Sequence, residues 1–353
     1  MANNFKGGNT MKMKKLLSLI LAAIIAFSIA GCQSKTSATQ TEQKPKESKT
    51  LKVVAAMGSK EKIFAEFEKD TGIKVEFLDI SSGEVLSRAK AQKGTPIADV
   101  WFGGGADGFM AAAKEGLLES YVSKEASNIS DAYKDKDGYW TGMTIVTAGL
   151  VVNEDVLKEK KLPVPKKWAD LTNPVYKDEI LMPNPNISGT SFCIISSLIQ
   201  VWGEDKTWNY LSDLNKNIPY YPQRGGEPPQ KAVAGEVAIG ISPLDGEQIA
   251  KGQGHNVLNI FPEDGIPWTV APVAIFKGAE NMDGAKAFVD WVLSKKGQET
   301  IVNLCPRLPV RSDIATPEVM KDAKVENLMK ADIFKAGSDR EQILKTWNEK
   351  IKK

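Results

Sequence analysis

Glycine and hydroxyl residues gather at four places where a helix is expected to follow a strand. These clusters are Gly58-Ser59, Ser81-Ser82-Gly83, Gly103-Gly104-Gly105 and Ser188-Gly189-Thr190-Ser191. Unpaired N–H groups at a helix start favour an anion, glycine lets the backbone approach it closely, and hydroxyls add donors without adding charge. Serine and threonine also cap ordinary helices. The residues alone therefore leave two interpretations open: ordinary helix caps, or a shared anion site.

Catalytic and metal-binding arrangements find little support. Ser188 does not stand in G-x-S-x-G, and the single histidine, His255, is typical of an exposed loop residue in KGQGHNVLN. The run Gly103-Gly104-Gly105 lacks the G-x-G-x-x-G spacing of a dinucleotide site. The single histidine and the absence of C-x-x-C argue against a Cys/His zinc site. The sequence favours binding over catalysis and predicts no resident metal or cofactor.

Composition and charge are those of an ordinary globular protein. The chain has 353 residues, 42% of them hydrophobic, and 46 Lys and Arg stand against 44 Asp and Glu for a net charge of +2. No basic patch indicates a nucleic-acid partner. The length is sufficient for two domains, each with its own core.

The amino terminus predicts export. Three lysines between residues 12 and 15 precede the apolar run LLSLILAAIIAFSIAG, which ends at Cys32. This pattern predicts a signal peptide over 1–31 rather than an uncut membrane anchor. The stretch IAGC resembles the lipobox of bacterial lipoproteins, which implies lipidation of Cys32. Three methionines lie at or before the basic cluster and leave the start open: Met1, Met11 and Met13.

Two further features concern the tether and the cysteines. Residues 33–50 read QSKTSATQTEQKPKESKT, with Ala38 as the one aliphatic residue, so 32–50 is expected to be a disordered tether. Cys193 and Cys305 lie in apolar segments, where buried free thiols are commoner than a disulfide, although their pairing stays open.

The order of elements predicts an α/β fold. Strands over 51–57, 74–80 and 98–104 alternate with helical stretches, which indicates a parallel, doubly wound sheet. Two long extended segments, 138–157 and 268–278, interrupt this alternation and enclose a second α/β run. That run comprises EILMPN, the helix after SGTSF, a strand over 217–222, a helix near 229–234 and a strand over 237–243. One amphipathic helix over 281–303 and a helical stretch from about 312 complete the chain.

Several longer stretches carry a family resemblance. They are ADVWFGGGADGFMAAAKEGLLESY, MPNPNISGTSF, GEVAIGIS, APVAIFKGAENMDGAKAFVDWVLSKKGQE and the proline turn CPRLPVRSDI. In them the chain resembles the solute-binding proteins of bacterial ABC importers, in the subgroup of ferric-iron and organophosphate binders. The resemblance implies a type 2 periplasmic-binding-protein-like fold: two doubly wound lobes joined by two extended hinge segments, which close on a solute.

The resemblance favours the anion-site interpretation. Ligands bind at the carboxyl ends of strands in open α/β sheets, so the glycine and hydroxyl clusters are expected to face one cleft. Ser188, Gly189 and Thr190 are the strongest candidates, opposite Ser59 and the 81–83 loop. The expected ligand-binding residues are Ser59, Ser81, Ser82, Gly83, Gly104, Gly105, Ser188, Gly189, Thr190, Arg224, Asp245 and Trp268.

Iron-binding members imply a different set of residues. They use His or Tyr after the first strand, often Glu after the third, and an adjacent Tyr pair after the strand matching VAIGIS. Here those places hold Gly58-Ser59, Gly103-Gly104-Gly105 and Pro243-Leu244-Asp245. Ferric iron needs anionic oxygen donors, and one aspartate is too few. The pair Tyr220-Tyr221 falls on the strand predicted over 217–222, where neighbouring side chains face opposite sides. A ferric-iron receptor remains the alternative.

An organic phosphate or phosphonate suits the remaining side chains. Arg224 is placed to clamp an anion, or is a surface residue before a Gly-Gly turn. Asp245 could accept hydrogen bonds from sugar hydroxyls or pair with an ammonium group. Trp268, like Trp101 and Trp140, either stacks on the solute or belongs to the core.

The sequence thus predicts an extracytoplasmic, lipid-anchored, monomeric receptor of an ABC importer, not an enzyme. Its partners would be a small anionic solute, a membrane permease and a cytoplasmic ATPase. The solute is expected to close the lobes by contacting both of them. The expected division is a signal peptide over 1–31, a tether over 32–50, a first lobe over 51–146, a second lobe over 147–269, and a return to the first lobe over 270–353.

Overall fold

The first part of the chain forms a parallel sheet with alternating helices. The computed structural model describes residues 50–92, 94–245 and 254–351. The elements of this part are β1 (Leu51–Ala55), α1 (Lys60–Thr71), β2 (Val75–Asp79), α2 (Ser82–Ala91), β3 (Val100–Phe102), α3 (Ala106–Lys114) and β4 (Leu118–Glu119). Strand β1 lies between β2 and β3 and pairs with both in parallel. Helix α1 buries Ile63, Phe64 and Phe67, the residues that share one face of its pattern.

The second part is built on a long strand, β5 (Thr141–Asn153), whose residues are all buried. It continues with α4 (Glu154–Glu159), β6 (Ile180–Leu181), α5 (Gly189–Trp202), α6 (Glu204–Asn215), α7 (Glu227–Val233), β7 (Ile239–Pro243) and β8 (Val257–Ile260). The last part contains β9 (Trp268–Phe276), α8 (Met282–Leu293), α9 (Lys295–Leu304), β10 (Leu308–Pro309) and α10 (Ile333–Lys350).

Strands β5 and β9 are the two extended segments that the sequence predicts. The first half of β5 pairs with β9 and β10, and the half from Ala148 onward pairs with β7 and β8. Strand β9 also pairs with β3. Because β5 changes partners between Thr147 and Ala148, it passes from one lobe into the other, and the two-lobed α/β fold is confirmed.

Each lobe has its own hydrophobic core. The first is centred on aromatic residues such as Trp101, Phe102 and Phe288, and the second on Trp168, Tyr176 and Phe192. Helix α10 contributes Ile343, Leu344 and Trp347 to the second core, although the sequence places all of 270–353 with the first. The exact lobe boundaries stay a prediction.

Three predicted elements differ from the structure. Residues 217–222 form no strand, because the Asn217 amide donates to the carbonyls of Leu171 and Asn173 at 2.8 Å and holds this segment as a loop. The single helix over 281–303 is two helices, α8 and α9, since Ser294 adopts an extended conformation and caps α9 by accepting from Gly297 N at 3.1 Å. Most of 312–332 is not helical, and α10 begins only after its cap, Asp332.

The described ranges contain no helix both long and apolar enough to cross a membrane. The signal peptide predicted over 1–31, with Cys32, and the tether as far as residue 49 lie outside those ranges.

Candidate functional site

A cavity of about 740 Å³ lies between loops that belong to the two lobes. From the first lobe it is lined by the segments that follow β1, β2 and β3, and from the second by the segments that precede α5 and α7 and follow β7. Val146 of β5 and Thr269 of β9, which are partners in the antiparallel pairing of these two strands, also line it. The cavity has the size of typical small-molecule sites.

Most of the ligand-binding residues expected from the sequence line this cavity. They are Ser81, Ser82, Gly104, Gly105, Ser188, Gly189, Thr190, Arg224 and Asp245. Three of them are the N-cap residues of their helices: Ser81 of α2, Gly105 of α3 and Ser188 of α5. The starts of three helices of nine or more residues therefore meet at one cavity. Their unpaired N–H groups and positive dipole ends favour an anion there.

The position of Ser188 agrees with both interpretations of its cluster, the ordinary helix cap and the anion site. Its hydroxyl accepts a hydrogen bond from Ser191 N at 3.4 Å, so it caps α5, and the residue also lines the cavity. The distance is long for a hydrogen bond, which leaves the hydroxyl free to turn toward a ligand.

Glycine is required where α3 approaches α2. Gly103 and Gly104 have φ values of 78° and 103°, which residues other than glycine rarely adopt. A Cβ on Gly104 would lie 2.6 Å from the Cβ of Ser82. These glycines therefore bring two of the helix starts into contact at the cavity wall.

Three of the expected residues lie outside the lining. Ser59 has a φ of 54°, and its side chain does not cap α1. Its neighbours Gly58 and Lys60 line the cavity, but Ser59 does not. Gly83 points away from the cavity toward the other lobe, where its N–H donates to Ile187 O at 3.0 Å. The Trp268 indole donates to Met329 O at 2.9 Å. Trp268 is held in this way outside the cavity lining, and Trp101 and Trp140 are core residues.

Arg307 is a functional candidate that the sequence analysis missed. Its Nε donates to Asp245 Oδ2 at 2.8 Å, and its Nη2 donates to the same oxygen. The two side chains are 7% and 19% exposed, and both residues line the cavity. Burial lowers the pKa of Arg307, but the neighbouring Cys305 and Asp245 outweigh it and the pKa is raised. The sequence feature that could have identified Arg307 is the motif CPRLPVR, which follows the helix pair α8 and α9.

The other charged residues of the lining are mostly paired. Lys60 lies 3.0 Å from Asp79, and Lys231 lies 2.7 Å from Glu236. Among the described residues, Arg224 and Glu227 have no ion-pair partner, and both belong to the segment around the start of α7. Since the described lining holds four cations and five carboxylates, hydrogen-bond donors rather than a net positive charge must attract an anion.

Metal-binding residues are sparse in the described ranges. These ranges contain no group of three or more His, Cys, Asp or Glu that could hold a metal ion. Tyr220 is exposed, and the Tyr221 hydroxyl donates to Asn215 at 2.8 Å. Neither tyrosine lines the cavity, and His255 lies in an exposed loop, as its surroundings in the sequence indicate.

Both cysteines of the folded body are buried free thiols. Burial raises the pKa of Cys193 and of Cys305 to about 12. Because the thiolate is the reactive form, we expect neither residue to be alkylated by iodoacetamide at pH 8 in the folded protein. Both should react after denaturation in urea, and peptide mass spectrometry would locate the label. Rapid labelling of either residue without denaturant would contradict this burial.

The fold and the cavity identify a class of protein, and comparison with known proteins agrees with it. Residues 95–335 match the family described as bacterial extracellular solute-binding protein, and the chain belongs to this family. It is the extracytoplasmic solute receptor of an ABC importer, which implies a permease and an ATPase as partners. The resemblance inferred from the sequence is thereby confirmed.

The names of individual relatives refer to different solutes, and some refer to none. The structure of the periplasmic binding protein AfuA from Actinobacillus pleuropneumoniae, with exogenous fructose-6-phosphate bound, is 31% identical, covers 86% of this chain and 98% of AfuA, and has a TM-score of 0.81. An uncharacterized protein of Haemophilus influenzae is 31% identical over 81% of this chain and 85% of its own. The Fe(3+)-binding periplasmic protein of Serratia marcescens is 25% identical over 67% of this chain and 70% of its own.

Proposed function

We propose that this receptor captures a small organic phosphate or phosphonate in the cavity between its lobes. The observation that carries the proposal is the convergence of the starts of α2, α3 and α5 on one cavity, each with its N-cap residue in the lining. A helix start offers free N–H groups and a positive dipole end to a phosphate. Convergence of several long helices is harder to explain by ordinary capping.

The likeness to AfuA supports the same class of solute. AfuA was solved with fructose-6-phosphate bound, and 86% of this chain aligns with it at 31% identity. A cavity of about 740 Å³ has room for a sugar phosphate and for smaller phosphonates.

The proposed roles follow from position. Ser188, Gly189 and Thr190 bind the phosphate group from the second lobe. Ser81, Ser82, Gly104 and Gly105 bind it from the first, and Arg224 adds a charged clamp at the start of α7. Asp245 contacts the opposite end of the solute. A solute that contacts both lobes favours their closed arrangement, because only differential affinity shifts such a balance.

Ferric iron remains the alternative, and the cavity supports it less well. The Fe(3+)-binding relative from Serratia marcescens is 25% identical. Among the described lining residues there is no tyrosine, histidine or cysteine. Four of the five described lining carboxylates, those of Asp79, Glu84, Glu236 and Asp245, already pair with cations.

We also propose that the receptor acts as a lipid-anchored monomer without enzymatic activity. The proposed anchor is Cys32, supported by the lipobox-like IAGC and the polar stretch that follows it. Nothing in the cavity combines a nucleophile with an activating base among the described residues.

A thermal-shift experiment on the full chain tests the proposed solute class. The probes are fructose 6-phosphate, 2-aminoethylphosphonate, inorganic phosphate and ferric citrate. We expect an organic phosphate or phosphonate at about 100 times its Kd to raise the melting temperature by roughly 5 °C, since it binds only the folded state.

The controls separate binding from stability. The double variant Ser188→Ala/Thr190→Ala should lose the shift, even though loss of the Ser188 cap by itself lowers the starting melting temperature. The matched variant Thr300→Ala/Ser338→Ala removes two helix hydroxyls outside the cavity and should keep the shift. A shift with ferric citrate alone would contradict the proposed function.

A further inference from the structure

The ion pair of Arg307 and Asp245 joins the two lobes across the cavity. Arg307 directly precedes β10, which pairs with the first half of β5, and Asp245 follows β7, which pairs with the second half. Both side chains are largely buried, and both residues line the cavity. The pair is therefore part of the wall that a captured solute contacts.

The pair leaves one acceptor and one donor unused. Arg307 donates from Nε and Nη2, and both bonds end on Asp245 Oδ2. Within the described ranges, Asp245 Oδ1 accepts no hydrogen bond and Arg307 Nη1 donates none. A hydroxyl group can use either position, because it can donate its proton to a carboxylate oxygen or accept from a guanidinium N–H.

An ammonium group can use only half of this arrangement. It can donate to Asp245 Oδ1, but it has no lone pair for Arg307 and is repelled by the guanidinium charge. Since Arg307 already neutralises Asp245, a buried ammonium there lacks a net counter-charge, and its desolvation is costly. A neutral hydroxyl has a smaller desolvation cost.

The remaining carboxylates of the lining do not restore an ammonium site. Asp79 pairs with Lys60, Glu236 pairs with Lys231, and Glu84 receives two hydrogen bonds from Arg88. Glu227 has no ion-pair partner among the described residues, but it lies in the first turn of α7. There it is stabilised by the helix start.

We propose that the Arg307–Asp245 pair determines specificity by selecting a hydroxyl-bearing phosphate or phosphonate against an ammonium-bearing one. This inference rests on the proposed function, and it narrows the solute to the hydroxylated class. Arg307 acts as the residue that removes the free negative charge of Asp245.

Two probes that differ in a single group provide the test. Dissociation constants of 2-hydroxyethylphosphonate and 2-aminoethylphosphonate are measured on the full chain by competition against fructose 6-phosphate. We expect the hydroxyl probe to bind at least about 10-fold more tightly to the native protein. In Arg307→Gln, which frees the charge of Asp245, the preference should fall at least 10-fold toward the ammonium probe.

Two further variants keep the result interpretable. Arg224→Gln removes the other arginine of the lining and should weaken both probes by a similar factor, because Arg224 is placed to contact their common phosphonate group. Asp245→Asn should weaken the hydroxyl probe, and this variant tests the pair independently if Arg307→Gln does not fold.

The outcomes separate this inference from the proposed function. Equal or tighter binding of the ammonium probe to the native protein would overturn the inference alone. An unchanged preference in folded Arg307→Gln would do the same. Failure of fructose 6-phosphate and both phosphonates to bind would overturn the proposed function, and the inference with it.

Discussion

Replacing Gly83 by alanine is expected to weaken binding of fructose 6-phosphate about 10- to 100-fold, although Gly83 does not line the cavity. Gly83 lies in the first turn of α2 and meets the loop before α5, which belongs to the other lobe. A Cβ at this position would lie 2.5 Å from Asn186 O and 2.7 Å from the Cα of Ile187. Backbone atoms cannot move aside as a flexible side chain can. The lobes must therefore separate, at a cost typical of overpacking, roughly 1–3 kcal/mol.

The measurement is the dissociation constant from isothermal titration calorimetry, together with small-angle X-ray scattering. Alanine favours a helix more than glycine does, so the fold of α2 should not suffer. The scattering should show a larger radius of gyration in the presence of the solute than the native protein has, because closure is incomplete.

A second glycine provides the matched control. Gly226 lines the cavity, has a φ of −86°, and would place a Cβ with no atom within 4 Å. Gly226→Ala should bind fructose 6-phosphate within about two-fold of the native protein. If Gly83→Ala bound as tightly as Gly226→Ala, the contact between Gly83 and Ile187 would not be part of the solute-bound form.

The sequence predicted the elements well where the pattern is local. The strands over 51–57, 74–80 and 98–104 appear as β1, β2 and β3. The runs of β1 and β3 are bounded by glycine and are buried in the sheet, whereas β2 is a mostly exposed edge strand. The loops between those strands and their helices were found for the same reason. Their position at the carboxyl ends of strands placed Ser81, Gly105 and Ser188 at one cavity.

Features that depend on distant contacts were not predictable in this way. The loop over 217–222 has the composition of a strand, but the Asn217 side chain fixes it through carbonyls more than 40 residues away. Arg307 becomes part of the cavity only because β10 pairs with β5. Trp268 has a suitable type for stacking on a solute, yet the Met329 carbonyl holds its indole elsewhere.

Helix α10 shows the same dependence and has a functional consequence. It packs on the second core through Ile343, Leu344 and Trp347, but Arg340 donates to Asp107 Oδ2 of α3 in the first lobe at 2.8 Å. The two side chains are 14% and 8% exposed. Because the cap of α3, Gly105, lines the cavity, this ion pair ties the last helix to the proposed solute site.

Replacing Arg340 by methionine should lower the free energy of unfolding by roughly 3–5 kcal/mol, because it leaves the Asp107 carboxylate buried and unpaired. Urea denaturation measures the loss. Lys335→Met on the same helix breaks the ion pair between Lys335 and Asp339, whose side chains are 59% and 38% exposed. This variant should lower the free energy of unfolding by less than about 1 kcal/mol.

The double variant Asp107→Asn/Arg340→Met identifies the cause of that loss. Once the carboxylate is neutral, the unpaired charge disappears, and part of the lost stability should return. A double variant no more stable than Arg340→Met would instead mean that the arginine acts through packing, since its guanidinium also lies 5.7 Å over the Phe192 ring. In that case the link between α10 and the solute site would run through the second core rather than through Asp107.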